Sequence, residues 1–177
     1  MKVLLENGNA TELKQQICSL ISDSTEDCIC YTGNIVADGI LNYKLGKLKQ
    51  SGTNIETELV IPQQMFMNTK DFTIILGNLL DNAVEALAQM DEGKHCYVGI
   101  KYTKCCLIVC VKNTYQNAVT EQNGCIISSK PDTEMHGIGL KSVRSIVDKY
   151  GGIMEISHSD GIFTVKIALT LPPEIDE

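Results

Sequence analysis

The chain has 177 residues, 44% of them hydrophobic, with 22 acidic against 15 basic side chains and a formal net charge of −7. That length and apolar content suit one compact domain with an ample core, and the acidic balance, with no basic cluster beyond Lys44, Lys47 and Lys49, argues against nucleic acid or an anionic membrane as a partner. The eight cysteines include Cys28 with Cys30 and the adjacent Cys105 and Cys106 but no C-x-x-C pair, so they read as reduced, mostly buried thiols of a cytosolic protein rather than a disulfide framework or a zinc site.

Residues 10 to 22 (ATELKQQICSLIS) set Leu13, Ile17, Leu20 and Ile21 at helical spacing, and residues 35 to 49 repeat the pattern with Leu41, Leu45 and Leu48, so two helices are expected to open the chain. Between them YTGN, residues 31 to 34, supplies Gly33 for a turn and Asn34 for a cap. After the Ser51-Gly52 break, IETELVI at 55 to 61 alternates and stops at Pro62, the pattern of a strand. A helix is expected next, capped by Thr69 or Asp71 and running to Met90.

YVGIKYT (97 to 103) and CLIVCVKN (106 to 113), parted by Lys104 and Cys105, predict an antiparallel pair. The apolar run Leu107 to Val111 inside it is far below the roughly 20 residues that span a bilayer, and Val3 to Leu5 is too short for a secretory leader. Residues 114 to 136 are polar, with little periodicity beyond Ile126 and Ile127, and predict a long mobile loop of the kind that serves as a lid. GIGLKSVRSIVDKYGG (137 to 152) predicts a helix with Val143, Ile146, Val147 and Tyr150 on one face, closed by Lys149 and Gly151. Two strands finish the chain; in the last, Phe163, Val165, Ile167, Leu169 and Leu171 alternate with polar or small residues, so one face is buried and the other wet. The sum is an α/β sandwich, a mixed sheet of about five strands with helices 70–90 and 138–150 packed on one face.

Within GNLLDNAVEA, residues 77 to 86, two asparagines four apart sit in a strongly helical stretch although asparagine is a mediocre helix former. At about 100° per residue, Leu76, Leu79, Leu80, Ala83 and Leu87 cluster on one side, while Asn78, Asn82 and Glu85 fall within about 60° of each other opposite them, bordered by Asp81. A solvated stripe would favour Lys, Glu, Gln or Ala over asparagine. A neutral amide oxygen is a good partner for Mg²⁺, which takes one or two protein ligands when substrate phosphates supply the rest. HGIGLKSV at 136 to 143 offers the matching phosphate cradle: Gly137 and Gly139 carry no side chain where backbone N–H groups must approach an anion, and the helix behind them points its positive end at the same spot.

LGNLLDNAVEA, a strand ending in VKNT, a lid and HGIGLKSV, in that order and spacing, resemble the ATP-binding domain of the GHKL superfamily, which joins gyrase, mismatch-repair ATPases, heat-shock chaperones and sensor histidine kinases. With YTGNIVADGILNYK ahead of the asparagine helix, the chain is most similar to the receptor histidine kinases of Gram-positive peptide quorum sensing. The resemblance covers nearly the whole chain from about Cys18. It implies a Bergerat-type ATP-binding fold, a two-layer α+β sandwich, with residues 1–50 forming N-terminal helices at the tail of a dimerisation and histidine-phosphotransfer hairpin and residues 51–177 the catalytic domain.

The same resemblance implies that Asn82 coordinates the Mg²⁺ bridging the ATP phosphates and that Asn78, one turn earlier, contacts the phosphates or metal. Gly137, Gly139 and Leu140 would hold the phosphates at the helix N-terminus, and Lys130, in the lid, is a candidate phosphate contact. Asn113 stands where most of the superfamily has the aspartate of a D-x-G-x-G motif that accepts a hydrogen bond from the adenine amino group; this chain has NTYQN, and an amide oxygen can accept the same bond. Glu85 departs from the basic residue that many sensor kinases carry three after the second asparagine.

Position 78 separates the enzyme types within the superfamily. Hydrolysing members, and the serine kinases related to them, have a glutamate general base there, whereas Asn78 cannot take a proton. The expected activity is therefore transfer of the ATP γ-phosphate to a histidine, with Asn78 the candidate catalytic residue acting by position and not as a base. The alternatives are a non-catalytic nucleotide-binding scaffold, or an ATPase or serine kinase of the same superfamily. None of the three histidines suits the acceptor role: His95 is at a strand entry, His158 in a turn, and His136 abuts the glycines as a lid or pocket residue. The acceptor is expected on dimerisation helices absent from this chain, in a homodimeric, two-component receptor whose cytoplasmic domain this is, with a response regulator downstream and no membrane contact by the fragment itself.

Overall fold

The computed structural model describes residues 29–103, 106–116, 120–122, 125–127 and 136–171. The helix expected over residues 10 to 22 and Lys130 lie outside the described residues. Three helices, α1 (Ile35–Gln50), α2 (Thr69–Leu87) and α3 (His136–Lys149), accompany a five-stranded sheet of β1 (Asn54–Val60), β2 (His95–Tyr102), β3 (Cys106–Thr114), β6 (Ile153–Ser159) and β7 (Ile162–Thr170). The strand order is β1-β2-β3-β7-β6, with β1 parallel to β2 and every other pair antiparallel. The mixed sheet follows from the connections. A tight three-residue gap can only reverse the chain between β2 and β3, whereas β1 reaches β2 through α2, a crossover long enough to keep the strands parallel.

Alternation sets the core. Leu107, Val109 and Val111 of β3 and Val165, Ile167 and Leu169 of β7 are buried, while Ile108, Lys166 and Ala168 between them are exposed. The buried face is roofed by Leu41, Leu45 and Leu48 of α1, Phe72, Leu76, Leu80 and Leu87 of α2, and Val143 and Val147 of α3, in one cluster. The boundary expected at residue 50 therefore does not separate two cores. From Ile35 onward the chain already belongs to the common core, because the apolar stripe of α1 packs chiefly on α2 and also on β1.

The helix boundaries differ from expectation at both ends of α2, which stops at Leu87 and not at Met90. The cap of α2 is neither Thr69 nor Asp71 but Asn68, whose side chain accepts from the Lys70 N–H at 2.8 Å. Asp71 is used otherwise: it accepts from Lys149 Nζ at 2.6 Å and from the Tyr150 hydroxyl at 2.8 Å, and that hydroxyl accepts from the Asn68 N–H at 3.0 Å. This cluster joins the start of α2 to the end of α3. Lys149, and then the Tyr150 hydroxyl, hold the Asp71 carboxyl below its usual range. A carboxylate depressed in the folded state adds stability above the unfolded pKa of about 3.9 and loses it as the pH falls through the folded value. Asp71→Asn is accordingly expected to melt below wild type at pH 7, with the gap closing as the pH drops below about 3.9 in paired calorimetric scans.

The segment 114 to 136 is not wholly irregular. It holds a short antiparallel ribbon of β4 (Thr120–Gln122) and β5 (Cys125–Ile127), paired Thr120 to Ile127 and Gln122 to Cys125.

Candidate functional site

The two asparagines of α2 occupy different environments from the rest of their stripe. Glu85 is exposed, and Asp81 is drawn to one side by an ion pair with Lys44 of α1. Asn78 and Asn82 are half-buried. The amide nitrogen of Asn78 donates to the Ile74 carbonyl at 2.7 Å, within its own helix, which fixes the side chain and sends its oxygen toward α3. A Cβ added at Gly139 would come 2.8 Å from that oxygen, closer than real contacts allow. Gly139 is thus the residue that lets α3 approach Asn78, and the absence of a side chain there is a packing requirement.

Asn82 lies one turn further along α2. Its amide nitrogen is buried and has no hydrogen-bond partner among the described residues. An unmade hydrogen bond of this kind costs about 1–3 kcal/mol. Two contacts locate what it faces. Asp71 meets Lys149 and Tyr150 at the end of α3, while Asn78 meets Gly139 near its start, so α2 and α3 run antiparallel. Four more residues along α2, about 6 Å, bring Asn82 past Gly139 to the level of the first residues of α3, where the positive end of that helix lies. A neutral carbonyl oxygen and an unspent N–H pair therefore sit beside a helix N-terminus, a combination that suits a cation together with an anion.

Asn113 takes the fourth inward position of β3 after Leu107, Val109 and Val111, and it is only 2% exposed. Its register partners are Cys96 on β2 and Phe163 on β7. The amide nitrogen donates to the Thr114 carbonyl at 3.0 Å, which leaves the oxygen as the end that can accept. A polar side chain at the end of an otherwise apolar row is the arrangement of a recognition group set in a hydrophobic wall.

Gly137 is in the first turn of α3, and Leu140 is half-buried against the core. The described contacts thus bring Asn78 and Gly139 together, put Asn82 on the same helix face, and bury Asn113. His95 faces Glu56 at 3.2 Å on β1, among the strands and away from the helix pair. A cleft of about 550 Å³ lined by Gly33, Asn34, Val36, Gln63, Thr69 and Phe72 is a separate feature: Thr69 and Asn82 are thirteen residues, about 20 Å, apart along α2.

Lys44 was not among the expected site residues. Its ion pair with Asp81 neutralises the carboxylate that borders the two asparagines. No periodicity signals such a pair, because the partners are far apart in sequence. Of the described cysteines only Cys96 is fully buried, and burial pushes its thiol up to about 12, whereas Cys30, Cys106 and Cys110 are half-buried, contrary to the expectation of mostly buried thiols.

The family model of the GHKL domain matches residues 67–170. Among solved structures, the chain is similar to the catalytic domain of the histidine kinase ThkA in a nucleotide-free form, at 17% identity and a TM-score of 0.59 over 81% of this chain and 97% of that one. It is similar also to the Acinetobacter baumannii histidine kinase AdeS, at 14% identity and 0.57 over 96% and 87%, and to the mycobacterial sensor histidine kinase MprB, at 17% identity and 0.54 over 75% and 93%. Identities this low carry the fold alone. No curated protein matches the chain.

Proposed function

The chain belongs to the GHKL domain family, and from that premise we propose that it is the ATP-binding catalytic domain of a sensor histidine kinase. The observation that carries the reading is the buried, unpartnered amide of Asn82 beside the start of α3. Its nitrogen can donate to a phosphate oxygen while its oxygen ligates Mg²⁺, so one side chain serves both parts of Mg-ATP. Gly137, Gly139 and Leu140 hold the phosphates at the N-terminus of α3, where the unbonded N–H groups of the first turn donate to phosphate oxygens and the helix dipole favours their charge. Asn113 accepts from the adenine amino group inside its apolar row. Lys130 adds a phosphate contact from the lid.

Bound there, Mg-ATP supplies the γ-phosphoryl group. Asn78 is held against Gly139 by its bond to the Ile74 carbonyl and orients the phosphates without removing a proton. That chemistry suits transfer to an imidazole, which needs positioning and charge stabilisation, better than hydrolysis, which needs a base for water. The acceptor histidine lies on dimerisation helices of the receptor, joined through the segment ahead of α1. The similarity of YTGNIVADGILNYK to peptide quorum-sensing receptors supports a homodimeric, membrane-anchored kinase that passes its phosphate to a response regulator. Among the described residues no helix is long and apolar enough to cross a membrane.

Titration calorimetry tests the reading. Mg-ATP is expected to give saturable heat that chelation of Mg²⁺ abolishes, and the chain alone is expected to show no self-labelling on histidine. Absence of both heat and thermal shift would remove the ATP-binding role. Robust acid-labile label on His136 in the isolated chain would overturn the assignment of the acceptor to other helices.

A further inference from the structure

Residues 29–33 are tied to α1 by two of its side chains. The Asn42 amide oxygen accepts from the Ile29 and Cys30 N–H groups at 2.8 and 3.1 Å, and its nitrogen donates to the Cys30 carbonyl at 2.8 Å. One turn earlier, Asp38 accepts from the Thr32 N–H at 2.8 Å, the Thr32 hydroxyl at 2.7 Å and the Gly33 N–H at 3.2 Å. The far end is anchored too. Asn34, 5% exposed, caps α1 through the Ala37 N–H at 3.0 Å and donates to the carbonyls of Pro62 and Gln63 at 2.9 and 3.3 Å. Gly33, at φ +82°, makes the turn between the two runs, a conformation that suits glycine.

The lengths match. Four extended residues from Cys30 to Asn34 advance about 13 Å, and eight helical residues from Asn34 to Asn42 rise about 12 Å, so the segment lies flat and antiparallel along the first two turns of α1. On the helix, Asp38 and Asn42 stand about 85° to one side of the buried stripe of Ala37, Leu41, Leu45 and Leu48, whereas Lys44, which reaches Asp81 of α2, stands about 55° to the other. Residues 29–33 thus lie along the flank of α1 that faces away from α2. Asp38 and Asn42 share the four-residue spacing of Asn78 and Asn82, and they too are residue types with a reason to be inside a helix.

We infer that Asp38 and Asn42 are positioning residues for phosphoryl transfer: by holding residues 29–33 against α1 they fix the direction in which the upstream chain leaves the catalytic core, and hence how the acceptor histidine on that chain meets the γ-phosphate. This rests on the kinase reading above. The bonds by which both side chains hold residues 29–33 involve no residue of the proposed nucleotide site. Their effect belongs to the geometry of the encounter, where an error of about 1 Å costs up to about 100-fold in rate.

The test compares Asp38→Ala plus Asn42→Ala with wild type. In the 177-residue chain, amide exchange of residues 29–33 is expected to quicken by about tenfold or more while the dissociation constant for Mg-ATP stays within about twofold. In the proposed receptor, kcat for acid-labile labelling is expected to fall at least about tenfold with KM for ATP unchanged, and Asp38→Asn, which keeps an acceptor for Thr32, to recover most of the loss. Should the double variant melt below the assay temperature, Asp38→Ala alone carries the same test, since it frees only Thr32 and Gly33. Unchanged exchange, or quickened exchange with unchanged kcat, would overturn the inference while leaving the kinase reading intact. Failure of the wild-type chain to bind Mg-ATP would overturn both.

Discussion

Replacing Asn82 by alanine is expected to leave the melting temperature of the chain unchanged or slightly raised while Mg-ATP affinity falls by about 100-fold or more. The two halves have separate causes. The Asn82 nitrogen is buried without a partner among the described residues, so the variant discards a polar group whose uncompensated burial costs about 1–3 kcal/mol and gains the better helix propensity of alanine. Against that stands the small packing loss of a half-buried side chain. In the complex the same amide is charge-assisted on both sides, by phosphate and by metal, and its loss is felt fully. Differential scanning calorimetry beside titration of Mg-ATP reads both quantities. A variant that unfolds would mean that Asn82 has a structural role, and one that binds as wild type would remove it from the site.

Gly139→Ala should weaken Mg-ATP binding by about tenfold or more with little change in stability, because two effects on the fold oppose each other. Alanine gains about 1 kcal/mol over glycine inside a helix. The new Cβ, however, falls 2.8 Å from the Asn78 oxygen, an overpacking whose typical cost is about 1–3 kcal/mol. Asn78 cannot swing aside without giving up its 2.7 Å bond to the Ile74 carbonyl, so either the amide or the start of α3 must move, and both are proposed parts of the phosphate site. A double-mutant cycle with Asn78→Ala isolates the coupling. Once the amide is gone, Gly139→Ala should cost little further affinity, and fully additive losses would mean that the two positions act independently.

Much of this arrangement was legible in the sequence. The order of three helices and five sheet strands from Ile35 onward follows from apolar periods of two and about 3.6, and the odd placement of Asn78 and Asn82 marked the helix face proposed as the nucleotide site. Three features were hidden for identifiable reasons. The stripe of Leu41, Leu45 and Leu48 says that α1 packs on something, but whether on an upstream hairpin or on α2 and β1 depends on residues further along the chain. The ribbon of β4 and β5 has three residues per strand, too few for an alternating pattern to register. The lashing of residues 29–33 by Asp38 and Asn42 consists of side-chain to backbone bonds, which leave no trace in hydrophobic periodicity. The polar stripe of α2, uniform on a helical wheel, was divided by its neighbours, with Lys44 taking Asp81 and Gly139 of α3 meeting Asn78.

The account turns on phosphoryl transfer to histidine, and labelling reads it directly. The proposed receptor, this chain joined to its histidine-bearing dimerisation helices, is expected on incubation with Mg²⁺ and γ-labelled ATP to acquire phosphate that is labile in acid and stable in base, and to acquire none when Asn82 is alanine. ATP binding by the chain with no label in the receptor, or label that survives acid, would contradict the account and leave a nucleotide-binding scaffold or a hydroxyl kinase in its place.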